Sequence, residues 1–378
     1  MVTRTKGMAE LFKEVINKDL CALCGACIGD CPYTVFYRGK IRMLDLCTRE
    51  EGHCYGYCPR THTDFDELNS KLFGAPYSGA EIGSVKEVFM ARSKDARVRS
   101  AAQYGGTVTS LLLLALENGR IDAAVTTRTG DDKLPAASLA RSAAEVMAGA
   151  GSSYMAYPVL EQLNRVPGDS KDKLGIVVTP CQAIALARMR LDPPQRAGIA
   201  NLRLTIGLFC TWALAYDRFY EFLKNKVDLP RARKFDIPPP PASRFDVYFG
   251  KEVKSFPLDE VRNYRMHTCA YCLDMTAEYT DISVGSVEGV EGWNTVIVRT
   301  QQGADIVAEA KKKGKLEIKD LPAQNLAHLK EAAFNKKVRA VQEIVKKTGD
   351  RNDLMYLGIS HDLREKLLGH KVGVQGGH

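Results

Sequence analysis

At 378 residues the chain is too long for one ordinary hydrophobic core, so two or three domains are expected. With 45% hydrophobic and 26% charged residues it is a soluble globular protein, and disorder is excluded. The net charge of +8 is modest, and without a supporting motif it argues against nucleic acid; an anionic cofactor or an acidic partner subunit suits it as well. No apolar run follows the basic residues Arg4 and Lys6, and the longest aliphatic block, Leu111 to Leu116, is too short to span a bilayer. Eleven cysteines in such a chain point to metal ligation in a reducing cytoplasm rather than to disulfides.

Helical spacing from Ala9 to Ile16 leads into the densest signal, Cys21-Ala-Leu-Cys24-Gly-Ala-Cys27-Ile-Gly-Asp-Cys31-Pro32. This is the ferredoxin run C-x2-C-x2-C-x3-C-P, in which three close thiolates serve one iron–sulfur cluster and the fourth serves another. Zinc sites instead take separated pairs. A short strand (Val35 to Tyr37) turns at Gly39 into Ile41 to Leu46, and a degenerate second half follows with Cys47, Cys54, Cys58 and Pro59. On the duplicated plan, Cys21, Cys24, Cys27 and Cys58 hold one 4Fe–4S cluster. The second set, Cys31, Cys47 and Cys54, is one thiolate short, with Glu51 and His53 nearby. It is a 4Fe–4S site with a non-cysteine ligand, a 3Fe–4S site, or no site. Residues 1–80 form this small domain, and Phe65 to Glu81, with Gly74, Pro76 and Gly79, reads as the linker out of it.

A new pattern begins near Val85, with a strand at Val88 to Arg92. Gly105-Gly106-Thr107-Val108-Thr109-Ser110 opens a buried helix that Asn118-Gly119 ends, and Ile121 to Thr127 is the next strand. Bare amides at such a helix start suit a phosphate, although Gly and Thr also serve as simple caps. Two strands then deliver a cysteine at their carboxyl ends: Leu174 to Pro180 runs into Cys181, and Leu202 to Phe209 into Cys210. Ligands of open α/β sheets gather at that edge. With Cys269 and Cys272 these thiolates can close a further 4Fe–4S site. Pro238 to Pro241 is a stiff spacer before a hairpin (Phe245 to Phe249, Glu252 to Phe256). Strands at Asp281 to Ser286 and Thr295 to Arg299 flank Gly289, Gly292 and Trp293, which stacks on a flat ring or fills the core. Leu321 to Lys347 has helical spacing, and Gly369 to His378 is a glycine-rich, mobile end. No G-x-G-x-x-G, Walker A, haem-attachment or hydrolase motif appears.

From about Val85 to Lys347 these pieces resemble, in order, the beta subunits of coenzyme F420-dependent hydrogenases and formate dehydrogenases. The matching stretches are Gly105 to Ser110 with Leu111 to Ala124, Ala150-Gly-Ser152-Ser153-Tyr154, Thr179-Pro-Cys181-Gln182, Leu208-Phe-Cys210, Cys269-Ala-Tyr-Cys272-Leu-Asp274, and Asp281 to Ser286 with Gly292 to Thr300. The resemblance implies a mixed α/β core that binds flavin and a cluster, preceded by a small ferredoxin-like 4Fe–4S domain. The core divides into 85–235 and 236–347, and residues 348–378 are a tail. It further implies FAD beside a 4Fe–4S cluster on Cys181, Cys210, Cys269 and Cys272, with coenzyme F420 as substrate. The implied flavin contacts are Gly105, Gly106, Thr107, Thr109, Ser110, Ser152, Ser153, Tyr154, Gly285, Ser286, Trp293 and Thr295. The simplest hydrogenase beta subunits lack the amino-terminal cysteine segment. In this the chain is similar to input subunits of the F420H2 dehydrogenase and to the hydroxymethyl chlorophyll reductase group. The implied partners are redox subunits of a hydrogenase, formate dehydrogenase or heterodisulfide-reductase-like complex. An electron-transfer adaptor without its own substrate, or a stand-alone reductase of an organic substrate, are the other readings.

Overall fold

An eight-stranded mixed sheet organises the computed structural model, which describes residues 6–130, 134–193, 197–238 and 242–370. In chain order its strands are β1 (Glu87–Ser93), β2 (Ala123–Thr129), β3 (Pro135–Ala140), β4 (Leu174–Val178), β5 (Leu202–Leu208), β6 (Ile282–Ser286), β7 (Asn294–Val298) and β8 (Leu316–Lys319). Their spatial order is β8-β1-β7-β6-β5-β4-β2-β3. The central four, β6, β5, β4 and β2, run parallel, and the flanking pairs are antiparallel. The parallel strands are nearly continuous apolar runs, as Leu174-Gly-Ile-Val-Val178 illustrates, because such a sheet is covered on both faces.

The period-2 alternation of β2 assigns those faces. Ala123 and Val125 join one apolar core and Ala124 the other. The helix Thr107–Glu117 (α2, counting Phe65–Phe73 as α1) covers the Ala124 side through Leu111, Leu112 and Leu114. The helix Pro180–Leu191 (α3) covers the other side. It starts sharply because Pro180 occupies its first turn and Thr179 forms a capping box with Gln182. The long helix Ala323–Thr348 (α4) adds Val338, Val341 and Ile344 to that second core. A small sheet of Lys234–Asp236, Arg244–Phe249 and Glu252–Pro257 lies beside the main one, as the expected hairpin plus one strand.

Several sequence expectations need correction. The 65–81 stretch, expected as a linker, contains α1: Asp64 caps it by accepting the Glu67 N–H at 2.9 Å, and Gly74 ends it in the left-handed region. The breakers Gly74 and Pro76 follow a helix whose Phe65 and Leu68 are buried in the same core as α3. The cysteine-bearing segment shares that core through Cys24, Ala26 and Tyr57, and Tyr57 donates to the Asp192 carbonyl at 2.6 Å. The first helix is α-helical only from Met8 to Leu11 and continues as a π-helical turn, Phe12–Ile16. The tail is structured up to His370: Leu357–Gly358 pairs in parallel with Thr63–Asp64, and a helix spans His361–Gly369. The proline spacer beyond Pro238 and the glycine-rich end beyond His370 lie outside the described residues. Among the described residues, no helix is long and apolar enough to cross a membrane.

Candidate functional site

A cavity of about 1030 Å³ opens at the carboxyl ends of the parallel strands. Thr126 to Thr129 of β2, Val177 and Val178 of β4, Leu208 of β5 and Val284 to Ser286 of β6 form its floor. The start of α2 forms one wall, with Gly106, Thr107, Val108 and Thr109 on the lining. Gly106 has φ 74, and a Cβ there would lie 2.9 Å from Val98 Cγ1, so the turn requires glycine. First-turn amides have no intrahelical acceptor. Thr107's is taken by Asn294 Oδ1 at 3.2 Å, while Asn294 Nδ2 donates to the Gly285 carbonyl at 3.1 Å. Asn294 thus ties α2 to β6.

Nine of the twelve expected flavin contacts line this cavity: Gly106, Thr107, Thr109, Ser152, Ser153, Tyr154, Gly285, Ser286 and Thr295. The other three do not. Gly105 is pressed against the Ala91 carbonyl and Asn294. Ser110 turns beneath the helix to donate to Ser93 Oγ at 2.7 Å. Trp293 is buried outside the cavity lining, with the Arg92 and Lys319 cations over its ring at 4.5 and 4.9 Å from the centroid. Sequence reasoning missed Gln103, Thr126, Asn294, Arg60 and Lys336, which also line the cavity. The Gln103 Oε1 and Thr126 Oγ1 atoms are buried without a hydrogen-bond partner, although such groups are normally paired. A polar ligand in this cavity would supply what they lack. The one signal for Thr126 was its place near the carboxyl end of a parallel strand.

Cys181, Cys210, Cys269 and Cys272 all line the same cavity. Cys269 Sγ accepts the Ala213 N–H at 3.4 Å, and Cys181 Sγ lies 3.5 Å from Thr179 Oγ1. Burial pushes the Cys181 and Cys210 thiols up, and Cys269 to about 11. Burial acts the same way on Cys272, but the Lys336 ammonium and the Arg60 guanidinium outweigh it and hold that thiol below its ordinary value. A metal cluster relieves the cost of charging such buried thiols, because coordination deprotonates them outright. The donor set therefore fits an iron–sulfur cluster.

The amino-terminal cysteines are buried or half-buried beside one another. Burial, and then the nearby Cys58, drives Cys21 up to about 12 and Cys24 well above the ordinary thiol range; burial and the neighbouring Cys24, Cys21 and Cys58 do the same to Cys27. Burial and then Cys31 and Cys47 act on Cys54, raising it to about 12. Of the extra ligands considered for the second set, His53 pairs with Asp30 at 3.2 Å and stacks on Tyr57, while Glu51 is exposed. All eleven thiols are free of disulfides. Among the described residues, no three His, Cys, Asp or Glu side chains converge on a single ion.

The two sulfur sites also touch. Cys181 Sγ lies 4.0 Å from the carbonyl of Ala22, inside the first cysteine run. Comparison with known proteins identifies the family. Residues 88–164 match the family described as coenzyme F420 hydrogenase/dehydrogenase, beta subunit N-term, and residues 171–324 match its C terminus. The chain is 33% identical over 270 residues to the coenzyme F420 hydrogenase subunit beta of Methanothermobacter thermautotrophicus, covering 70% of this chain and 95% of that one. It is 31% identical to a subunit of the F(420)H(2) dehydrogenase of Methanosarcina mazei, covering 78% and 84% respectively. Similarity to the coenzyme F420-dependent sulfite reductase of Methanocaldococcus jannaschii, at 29% identity, extends over 88% of this chain. The chain spans only about half, 52%, of that relative's length. A chain of the F420-reducing [NiFe] hydrogenase complex from Methanosarcina barkeri superposes with a TM-score of 0.63 at 28% identity, covering 71% of this chain and 94% of that one. The chain belongs to the family of coenzyme F420 hydrogenase/dehydrogenase beta subunits, a family of oxidoreductases.

Proposed function

We propose that the chain is an iron–sulfur flavoprotein subunit. It exchanges a hydride between coenzyme F420, or a similar carrier, and FAD, and relays single electrons through 4Fe–4S clusters to or from a partner redox subunit. One observation carries this reading: four cysteine thiols and a glycine–threonine helix start face a single cavity at the carboxyl edge of the sheet. Bound FAD would supply the conversion between two-electron and one-electron chemistry. The chain's own residues would hold and orient it. The α2 start would receive the pyrophosphate, with the helix dipole favouring its charge. Thr126 Oγ1 and Gln103 Oε1 would hydrogen-bond to the ligand. Cys181, Cys210, Cys269 and Cys272 would hold one cluster on the cavity wall, and Cys21, Cys24, Cys27 and Cys58 the next. Cys31, Cys47 and Cys54, one thiolate short, would serve a third as a 4Fe–4S site with a non-cysteine ligand or as a 3Fe–4S site, or would stand empty.

Anaerobically purified protein, assayed for iron, sulfide and acid-released flavin, tests the cofactor set. FAD with at least eight irons per chain is expected from two 4Fe–4S clusters. FMN alone, or no flavin, would sink the flavin assignment. Reduced coenzyme F420 and a redox dye then test the reaction through the return of the oxidised deazaflavin absorbance. Intact clusters and flavin with no turnover would favour the adaptor reading.

A further inference from the structure

Arg60 stands out once the two sulfur sites are described. The residue is 4% exposed; three of its hydrogen bonds go to neutral oxygens, and it also contacts the Cys272 thiol. Nε donates to Thr268 Oγ1 at 2.7 Å, Nη2 to the Thr268 carbonyl at 3.3 Å, and Nη1 to the Tyr356 hydroxyl. A guanidinium stays charged throughout the ordinary pH range, and a buried charge without an opposite charge is costly. None of these three partners is a carboxylate, so the balancing negative charge must come from another group.

The wiring of its neighbours indicates what that is. Arg60 lies two residues after Cys58, and Thr268 immediately precedes Cys269. Thr268 Oγ1 in turn donates to the carbonyl of Leu20, at 2.7 Å, and Leu20 immediately precedes Cys21. One hydrogen-bonded knot therefore joins the Cys58 loop, the Cys269 loop and the Cys21 loop. Arg60 also lines the cavity beside Cys181 and Cys272. Lys336, by contrast, donates to the Cys210 carbonyl at 2.6 Å and belongs to the core site alone.

We propose that Arg60 is the shared countercharge of the two sulfur centres, a positioning residue that raises the reduction potentials of both the core cluster and the Cys21/Cys24/Cys27/Cys58 cluster. Net charge and hydrogen bonding around the sulfurs are among the main determinants of cluster potential. A fixed cation between two anionic clusters stabilises the added electron on either one. The inference rests on the iron–sulfur reading above.

The test uses the full-length holoprotein, with reductive titrations followed by electron paramagnetic resonance. Wild-type protein without iron or a cluster signal would sink the iron–sulfur reading itself, before any variant is compared. Given clusters, Arg60→Gln is expected to retain iron and to shift both midpoints downward, while Arg60→Lys keeps them near wild type. Unchanged midpoints in an iron-replete Arg60→Gln protein would overturn the proposal, as would a shift in one cluster only. If Arg60→Gln holds no iron, Arg60→Lys decides. Iron retained with wild-type midpoints supports the countercharge, and iron lost despite the preserved charge, or midpoints that fall despite it, overturns it.

Discussion

Asn164 donates its side-chain amide to the main-chain oxygens of Ala26 and Ile28, at 3.1 and 2.7 Å, in the middle of the cysteine run. The side chain is buried, so a residue of the core supplies donors that the loop cannot find internally. Asn164→Leu should leave both carbonyls unmet, at a cost of about 1–3 kcal/mol. Lower denaturant resistance and faster iron loss to a chelator are expected. Unchanged iron retention would mean that other contacts hold the loop.

Gly285 cannot accept a side chain. A Cβ there would sit 1.9 Å from Phe209 Cδ2, and Phe209 immediately precedes Cys210. Gly285→Ala should destabilise the fold by about 1–3 kcal/mol through overpacking and lower flavin occupancy. Thermal melting and flavin content check it, and wild-type values in both would show that Phe209 moves aside freely.

Cys272→Ser should remove the signal of the core cluster and leave the amino-terminal signals in place. Iron content should fall by about four per chain, the content of one 4Fe–4S cluster. Unchanged iron and spectra would refute the ligand assignment.

The sequence was most legible where chemistry and strand ends coincide. Cys181 and Cys210 follow apolar strand runs directly, so their convergence could be read from the strand-end rule alone. The Gly106–Thr109 turn was legible because few residue types suit a left-handed helix cap. Trp293 misled for a physical reason: its covering cations, Arg92 and Lys319, lie on strands that only the folded sheet brings beside it. The linker reading of 65–81 failed similarly, since the burial of Phe65 and Leu68 depends on α3, more than a hundred residues later. Arg60 had no local signature at all, because its meaning comes from Thr268 and Tyr356.

Glu14 gives a pH-dependent test. It accepts hydrogen bonds from Lys6 Nζ at 2.7 Å and from the Tyr55 hydroxyl at 2.6 Å. Burial opposes its ionisation, but these two donors outweigh burial and hold the carboxyl below its ordinary 4.5. Its stabilising contribution is therefore present above about pH 4.5 and lost as pH falls through the depressed value. The difference in urea midpoint between wild type and Glu14→Gln should stay constant from neutral pH to that point and shrink below it. A difference that grows on acidification would contradict the pairing.

Removing residues 1–80 should not yield a competent flavin core. The cut would strip Tyr57, Phe65 and Leu68 from a shared apolar core and expose Leu160, Leu163 and Ile184. It would also leave Arg188 without the carbonyls of Gly56, Cys58 and Thr61. Aggregation or a lost cooperative melt is expected. A truncated protein that melts like the full chain would show that the two parts are thermodynamically independent.

The parallel pairing of Thr63–Asp64 with Leu357–Gly358 orders events on the ribosome. The Thr63 N–H binds the Tyr356 carbonyl at 2.9 Å, so the cysteine segment reaches its final seat only after a residue made nearly 300 positions later. At typical synthesis rates that interval is roughly 15–60 s. During it the seven amino-terminal thiols are made but not yet enclosed, which would give assembly factors time to deliver the iron and sulfide of the proposed clusters. The same delay exposes those thiols to oxygen, so translation under air should produce chains that close over damaged cysteines.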